Sequence, residues 1–471
     1  MSQARVKEMQ RGLEKALRRA SLADDRELMG RVRDEGHRLV FLLNGLVRTS
    51  RLYTGENAAL DAPCQEFGGV LRGLIELLGA VHLVSVEDHL FVNDVRLRVR
   101  PQEQAVVEAF AAELLRHEIG GLSFHAPLEM FETQNLARAL AAPAEAGLRA
   151  AVAARVASLR NVEILGRYRF RVTGERAARR RGPGEAARQA AGAVREAVAA
   201  LGAGRLPNPL PVRRAVVDLV EALPGAEGLA AASPLRRGPG GPGERHLLAV
   251  CQLALLLGRR LGLPEGALAD LGVAAMLHDV GYVNGGDRDS HASAGLRLLL
   301  RQRGFHEGKI RRLRVVLEHH LAASDGGVLQ PSIFSRILRI ADDYDVLTAS
   351  RGGQPGLPPP TAQGALWSAR GTLYDADLLA LFVQTLGLYP PGSLLELSDG
   401  RWVVSVSGGR DAQRFAWPVV RLVRESGGAS ASGSEEIDLF EDRFGVKPKR
   451  VLNPHSQEFD LASALELAFG G

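Results

Sequence analysis

Apolar residues recur at two different periods in the first part of the chain, and the change of period separates helices from strands. Leu39, Leu43 and Leu46 follow the three-to-four spacing of a helix face and predict a helix over 36–50, with a second over 55–79. Short segments rich in β-branched residues follow and predict strands. The predicted strands are Val81–Val86, Leu90–Val92, Val95–Val99 and Leu122–Phe124. Mixed helices and strands predict an α+β domain.

The rest of the chain is divided by changes in composition, and the fold class is therefore multi-domain. Arg, Ala, Gly and Pro dominate a bridge in which helices are predicted near 185–202 and 211–222. Alternating Trp402–Ser407 predicts a hairpin, and Gly427–Ser434 is typical of a disordered segment. The predicted units are a helical lead-in over 1–35, an α+β domain over 36–173, the bridge over 174–243, an all-α domain with a small β-hairpin over 244–425 and a mostly disordered tail over 426–471.

Composition restricts the class of protein further. Hydrophobic residues make up 46% and charged residues 24% of the chain, which is ordinary for globular proteins. Although the formal net charge is +5, aromatic residues are 5% and do not alternate with basic ones, so we predict no specific nucleic-acid binding. Two cysteines, Cys64 and Cys251, exclude a disulfide framework. The charged amino terminus and the lack of a long apolar run predict a cytoplasmic protein without a membrane span.

Histidine and aspartate residues between 246 and 342 form a candidate metal site. Each alone is ordinary: a helix histidine is usually half-buried, and an acidic cluster is usually solvated. Together they favour a metal site, because imidazole and carboxylate suit Fe, Mn, Zn or Mg. Two ions bridged by a carboxylate activate water against a phosphate ester. The candidate ligands are His246, His278, Asp279, His291, His319, His320 and Asp342.

Several segments carry a family resemblance that covers about residues 240–425. Ala274–Gly281 (Ala-Ala-Met-Leu-His-Asp-Val-Gly) resembles the signature of the HD superfamily of metal-dependent phosphohydrolases. The pair His319-His320, the segment Arg336–Arg351 and the segment Leu388–Gly400 resemble its HD-GYP branch. The resemblance implies an all-helical domain that binds two divalent ions, Fe or Mn before Zn or Mg. It also implies hydrolysis of a cyclic dinucleotide, cyclic di-GMP, in bacterial signalling.

The resemblance also assigns roles to single residues. Asp279 matches the bridging, catalytic carboxylate, and the other candidate ligands match the family's metal ligands. Arg351 matches an arginine that contacts the substrate phosphate. Tyr282 lies at the mouth of the site, where the family has lysine, and is a second candidate for substrate binding. Asp345, three residues after Asp342 on the same helix face, is predicted to orient a ligand.

Departures from the family pattern leave two functions open. Tyr282 replaces the lysine, the segment 325–331 replaces Gly-Tyr-Pro, and Pro242 replaces a glutamate, which favours two ions over three. The first function is an active phosphodiesterase for a cyclic dinucleotide or another phosphate ester. The alternative is a degenerate signalling module with little turnover that acts through nucleotide or protein binding.

The amino-terminal domain carries histidines but no motif that we recognise as catalytic. By its position it is predicted to have a sensory or dimerisation role, which leaves protein partners and a homodimer open. Its histidines are predicted to be structural because they are scattered over strands and a helix. They are His82, His89, His117 and His125.

Overall fold

The computed structural model describes fourteen segments of the chain. They are residues 3–22, 25–52, 58–86, 89–97, 103–143, 148–168, 182–222, 242–303, 307–324, 330–350, 354–408, 412–427, 436–441 and 445–452. They contain two antiparallel five-stranded sheets and a set of packed helices between them in sequence. Within these segments we find no helix that combines the length and the apolar character required to cross a bilayer.

The amino-terminal region is α+β, as predicted. Its helices are α1 (Gln3–Leu22), α2 (Asp25–Leu52), α3 (Asp61–Leu78), α4 (Gln104–Arg116), α5 (Met130–Ala141) and α6 (Leu148–Arg155). Its strands are β1 (Val81–Val86), β2 (His89–Val92), β3 (Val95–Arg96), β4 (Gly121–Phe124) and β5 (Val162–Leu165), in the order β3-β2-β1-β4-β5. Leu39, Leu43 and Leu46 are buried against the sheet, as their spacing predicts. The edge strand β5 was not predicted from sequence, because its four residues are half-buried and do not alternate.

The second region is helical. Its helices are α7 (Pro183–Gly202), α8 (Pro209–Ala222), α9 (Pro242–Arg260), α10 (Glu265–Leu277), a 3-10 helix (Val280–Asn284), α11 (His291–Leu300), α12 (Glu307–Glu318), α13 (Ile333–Thr348), α14 (Pro359–Ser368) and α15 (Ala376–Leu386). Val216 and Leu219 of α8 are fully buried in one apolar core with α9, α10 and α13. The two helices predicted within the bridge therefore pack as part of the helical domain. The Gly/Pro-rich remainder of the bridge, 223–241, lies outside the described residues.

Helix α1 packs on the helical domain. Leu13 is buried in a cluster with Leu201, Val280 and residues of α11 and α12. The predicted lead-in is therefore a helix, and it supplies part of the covering of α12.

The carboxyl-terminal region is a sheet, larger than the predicted hairpin. Its strands are β6 (Leu394–Leu397), β7 (Trp402–Ser405), β8 (Val419–Arg424), β9 (Glu436–Asp438) and β10 (Pro448–Val451), in the order β10-β6-β7-β8-β9. The predicted hairpin is the β6–β7 pair. The expectation of a mostly disordered tail is wrong for β9 and β10. Leu439 after β9 is fully buried, and Lys449 and Arg450 of β10 both bind Glu396 of β6.

Candidate metal centre

The predicted ligands come from neighbouring elements of the helical domain. Each lies on a helix or at a helix end, so its backbone is held by regular hydrogen bonding. His246 lies on α9, His278 follows α10, Asp279 precedes the 3-10 helix, His291 begins α11, His319 and His320 follow α12, and Asp342 lies on α13. The structure brings six of these seven side chains into two groups that share the Asp279 carboxylate, and Asp342 adjoins one of the groups.

The first group consists of His246, His278 and Asp279, whose potential ligand atoms lie within 4.8 Å of one another. Asp279 Oδ2 is 3.5 Å from His246 Nε2, and Asp279 Oδ1 is 3.5 Å from His278 Nε2. Asp342 adjoins this group, with Oδ1 3.2 Å from His246 Nε2 and 4.0 Å from His278 Nε2. Two imidazoles and two carboxylates thus face one point.

The second group consists of Asp279, His291, His319 and His320. Asp279 Oδ1 is 3.3 Å from His291 Nε2 and 3.7 Å from His319 Nε2. The Nε2 atom of His291 is 3.1 Å from that of His319 and 3.1 Å from that of His320. Asp279 is therefore the one residue that belongs to both groups.

Backbone carbonyl groups fix the tautomer of three histidines. The contacts are His278 Nδ1 to Ala275 O at 2.7 Å, His291 Nδ1 to Arg288 O at 3.0 Å and His319 Nδ1 to Val316 O at 2.9 Å. A carbonyl oxygen only accepts, so each Nδ1 donates, and in the neutral ring Nε2 carries a lone pair. Two such lone pairs at 3.1 Å, from His291 and His319, repel unless a cation lies beside them.

Burial strengthens this requirement for a cation. His278, His291 and His319 are fully buried, and His278 Nε2 has no hydrogen-bond partner within the described segments. Burying an unpaired polar atom is costly, so the site fits a ligand that accepts these lone pairs. Imidazole nitrogen and carboxylate oxygen are the donors that a borderline divalent ion takes. The residues present therefore fit divalent metal ions.

The electrostatics of the carboxylates agree with this fit. Burial raises the pKa of Asp279, but the nearby His278, His246 and His319 outweigh it and hold that pKa below its usual range. Burial also raises the pKa of Asp342, but His246 and His278 outweigh it and hold that pKa below its usual range. Burial opposes the charged form of His246, yet its hydrogen bonds to Asp279, Asp342 and Asp345 raise its pKa to about 11. The carboxylates thus stabilise a cation here, either a proton on His246 or a metal ion.

The turn that carries Asp279 packs closely against the backbone of α11. A Cβ atom added at Gly281 would lie 1.9 Å from His291 O, so the turn after the His-Asp pair approaches α11 closely only with glycine there. The next residue, Tyr282, is 44% exposed and stacks on His291, with ring centroids 4.2 Å apart and planes 9° apart. Tyr282 therefore lies at the rim of the centre.

Asp345 contacts the predicted ligand His246 at Nδ1, the ring nitrogen that faces away from Asp342. Its Oδ2 atom is 2.9 Å from His246 Nδ1, and its side chain is buried. This contact orients the ring so that Nε2 faces Asp342. Arg351 lies outside the described residues, and so does 325–329, most of the segment that replaces Gly-Tyr-Pro.

Glu318 is a buried residue that the sequence analysis did not identify. Its side chain is fully buried immediately before His319, and it accepts hydrogen bonds from four groups. One sequence signal was available: Arg314 precedes it by four residues, the spacing of an ion pair on a helix.

Comparison with known proteins identifies the class of the helical region. Residues 243–347 match the HD domain family, so this part of the chain is an HD domain. The predicted resemblance to the HD superfamily is thereby confirmed. The match includes α9 to most of α13 and all seven predicted ligands.

Two further proteins are similar to parts of this chain. Over 182 residues the chain is 30% identical to a protein of Pseudomonas aeruginosa named cyclic di-GMP phosphodiesterase PA4108. That alignment covers 33% of this chain and 42% of the relative, so less than half of the relative is matched. A solved structure described as Bd1817, a HDG"Y"P protein from Bdellovibrio bacteriovorus, is 13% identical, covering 65% of this chain and 94% of its own, with a TM-score of 0.32.

Proposed function

We propose that this chain is a metal-dependent phosphodiesterase of the HD-GYP type that hydrolyses a cyclic dinucleotide, with cyclic di-GMP as the first candidate, in bacterial signalling. The observation that carries the proposal is the position of Asp279 in both ligand groups. A shared carboxylate is the feature that a binuclear phosphodiesterase requires, because it holds two ions beside one phosphate. Similarity to the Pseudomonas protein named cyclic di-GMP phosphodiesterase supports the choice of substrate.

The ligand groups assign the residues that would hold two divalent ions, Fe or Mn before Zn or Mg. His246, His278 and Asp342 would complete one site with Asp279. His291, His319 and His320 would complete the other. When bound, such ions supply Lewis-acid activation of the phosphate and lower the pKa of water to about 7. The chain's own contribution is to hold the imidazole rings through their Nδ1 contacts and to keep the carboxylates ionised.

The substrate contacts in the proposal come from the rim. Burial and then Asp279 raise the pKa of Tyr282, so its hydroxyl group stays protonated and can donate a hydrogen bond to a phosphate oxygen. It does not supply the positive charge of the family's lysine. Arg351 is proposed to bind a second phosphate oxygen.

The neutral Tyr282 also favours the alternative function. Without a fixed positive charge at that position, phosphate binding and leaving-group stabilisation are weaker. In that case the domain binds metal and nucleotide, turns over little and acts through protein contacts.

One experiment separates the two functions. Protein purified without oxygen is supplied with Mn²⁺ or Fe²⁺, its metal content is measured, and its products from cyclic di-GMP are resolved by chromatography. The phosphodiesterase predicts about two ions per chain and a linear dinucleotide or GMP. Bound metal without turnover, either of cyclic di-GMP or of bis(p-nitrophenyl) phosphate, supports the binding module. Turnover of the synthetic ester alone indicates a different phosphodiester substrate. A folded protein that takes up no metal contradicts the metal centre.

A further inference from the structure

The carboxylate of Glu318 lies at the end of α12, one residue before the His319-His320 pair. It is 0% exposed, although glutamate is rarely buried completely. Glu318 is not part of either ligand group. A buried carboxylate that binds no metal needs other partners, and its partners show what it connects.

The two oxygen atoms of Glu318 face different elements. Oε1 accepts from Gln10 Nε2 on α1 at 3.2 Å and from Arg314 Nε on α12 at 3.1 Å. Oε2 accepts from the backbone N–H of Ser332 at 2.8 Å and from Ser335 Oγ at 2.8 Å. Ser332 is the N-cap residue of α13, and its hydroxyl group accepts from the backbone N–H of Ser335. One side chain thus joins α1 and α12 to the first turn of α13.

These three helices relate directly to the metal centre. The end of α12 leads into His319 and His320, and α13 carries Asp342. Among the described residues, α1 is the element outside the HD domain that contacts Glu318 and Arg314. Gln10 is 3% exposed, and Glu14 binds Arg314 Nη1 at 2.7 Å. Leu13 of the same helix is buried beside Val280, which follows Asp279.

We infer that Glu318 is a positioning residue for the metal centre. We also infer that α1, through Gln10, completes the set of hydrogen bonds that holds the Glu318 carboxylate. Glu318 sets the distance between the end of α12 and the start of α13, and with it the placement of His319 and His320. Gln10 and Arg314 hold its Oε1 atom, so docking of α1 and binding of metal stabilise each other. This inference rests on the proposed metal-dependent function. It goes beyond that function by making the amino-terminal helix part of the apparatus that holds the metal.

The test is a Mn²⁺ titration of four proteins: wild type, Glu318→Gln, Gln10→Ala and Glu307→Gln. In Glu318→Gln the side-chain NH2 group replaces one carboxylate oxygen. It faces hydrogen-bond donors and cannot accept from them. Gln10→Ala removes the donor of α1 alone. Glu307→Gln is the matched control, because Glu307 lies on the same helix but is partly exposed and pairs with Arg311. Circular dichroism at the titration temperature confirms that each protein is folded.

Glu318→Gln is expected to bind one of two ions about 10-fold more weakly. This is the lower end of the range for loss of a residue that supports a metal ligand. The second ion should keep its affinity, because His319 and His320 belong to one group only. Gln10→Ala should weaken the same ion to a smaller extent, and Glu307→Gln should match wild type. A merely structural role would lower the melting temperature and leave both affinities unchanged.

Affinities equal to the control in both folded variants overturn the inference. If Glu318→Gln does not fold, Gln10→Ala decides alone, since it changes a helix outside the HD domain. A wild-type protein that binds no Mn²⁺ gives a different result, because it removes the proposed function first and the inference with it.

Discussion

Buried histidines occur both in the amino-terminal sheet region and in the HD domain, but their surroundings differ. In the sheet region His82 bonds Ser123 Oγ through Nδ1 at 2.7 Å, and His117 bonds Leu140 O through Nε2 at 2.7 Å. His82 and His125 are neighbours, with ring centroids 5.9 Å apart. His82 Nε2 is buried without a hydrogen-bond partner among the described residues, but no group of three or more potential metal-ligand atoms forms around it there.

In the HD domain several Nε2 atoms converge on one carboxylate. His278, His291 and His319 use Nδ1 for the backbone of their own turn and direct Nε2 toward Asp279. Burial is the same in the two regions, since His82 and His278 are both almost inaccessible to solvent. What distinguishes the candidate metal centre from the histidines of the sheet region is therefore the convergence of several ring nitrogen atoms on a shared carboxylate. Burial, residue type and an unpartnered Nε2 atom occur in both regions.

The largest expected effect comes from removing that shared carboxylate. Asp279→Ala should lose both ions, because Asp279 serves both ligand groups, and phosphodiesterase activity should fall by more than about 100-fold, the upper end for loss of a mere supporting contact. Metal content by elemental analysis and turnover of cyclic di-GMP measure the effect. Asp289→Ala is the matched control, since Asp289 is exposed in the loop before α11.

An Asp279→Ala protein with full metal content would contradict the proposed difference between the histidines of the two regions. The convergence in the HD domain would then be a packing arrangement like that of the sheet region. Loss of one ion with the other retained would instead restrict Asp279 to a single site.

Sequence could predict which side chains group together because motif spacing places most of the candidate ligands at helix ends. His278-Asp279 after α10 and His319-His320 after α12 each lie where a helix stops, and those positions follow from local pattern. The support of the centre could not be predicted in this way. Gln10 and Glu318 are separated by 308 positions, and no periodicity in α1 identifies its partner.

The carboxyl-terminal sheet shows the same limit. Strand β10 is mostly polar along its sequence and is held by backbone pairing with β6, where Lys449 and Arg450 also contact Glu396. Similarly, the helices of the predicted bridge are correct as helices, whereas their membership of the HD core depends on packing that composition does not show. Local elements follow from sequence pattern, while the pairing of distant elements follows from tertiary contacts.

The second expected effect lies in the sheet region and concerns stability. His117→Ala removes a side chain that is 1% exposed together with its bond from Nε2 to Leu140 O, while Arg116 Nη2 still donates to that carbonyl group at 3.1 Å. The free energy of unfolding should fall by about 1–3 kcal/mol. Urea denaturation measures this loss, and elemental analysis should show unchanged metal content. Reduced metal in a protein that remains folded would mean that the two regions are coupled through this histidine.

The smallest expected effect is a difference in pH dependence, and it concerns His82. Burial, and then the neighbouring His125, lower the pKa of His82 from its ordinary 6.5 to about 3, while Glu163 acts in the opposite direction. The folded protein therefore does not take up the proton that the unfolded chain binds below pH 6.5. Stability contributed by neutral His82 is present above that pH and is lost as the pH falls toward 3, by about 1.4 kcal/mol per pH unit.

His82→Gln isolates this contribution, because glutamine is polar, does not titrate and can still bond Ser123. Between pH 6 and pH 5 the unfolding free energy of wild type should fall by about 1.4 kcal/mol more than that of the variant. The difference should be the same with Mn²⁺ and with a chelator, since His82 lies outside both ligand groups. Parallel pH curves would mean that His82 takes up its proton in the folded state. A difference that changes with Mn²⁺ would contradict the separation of structural and metal-binding histidines on which the comparison rests.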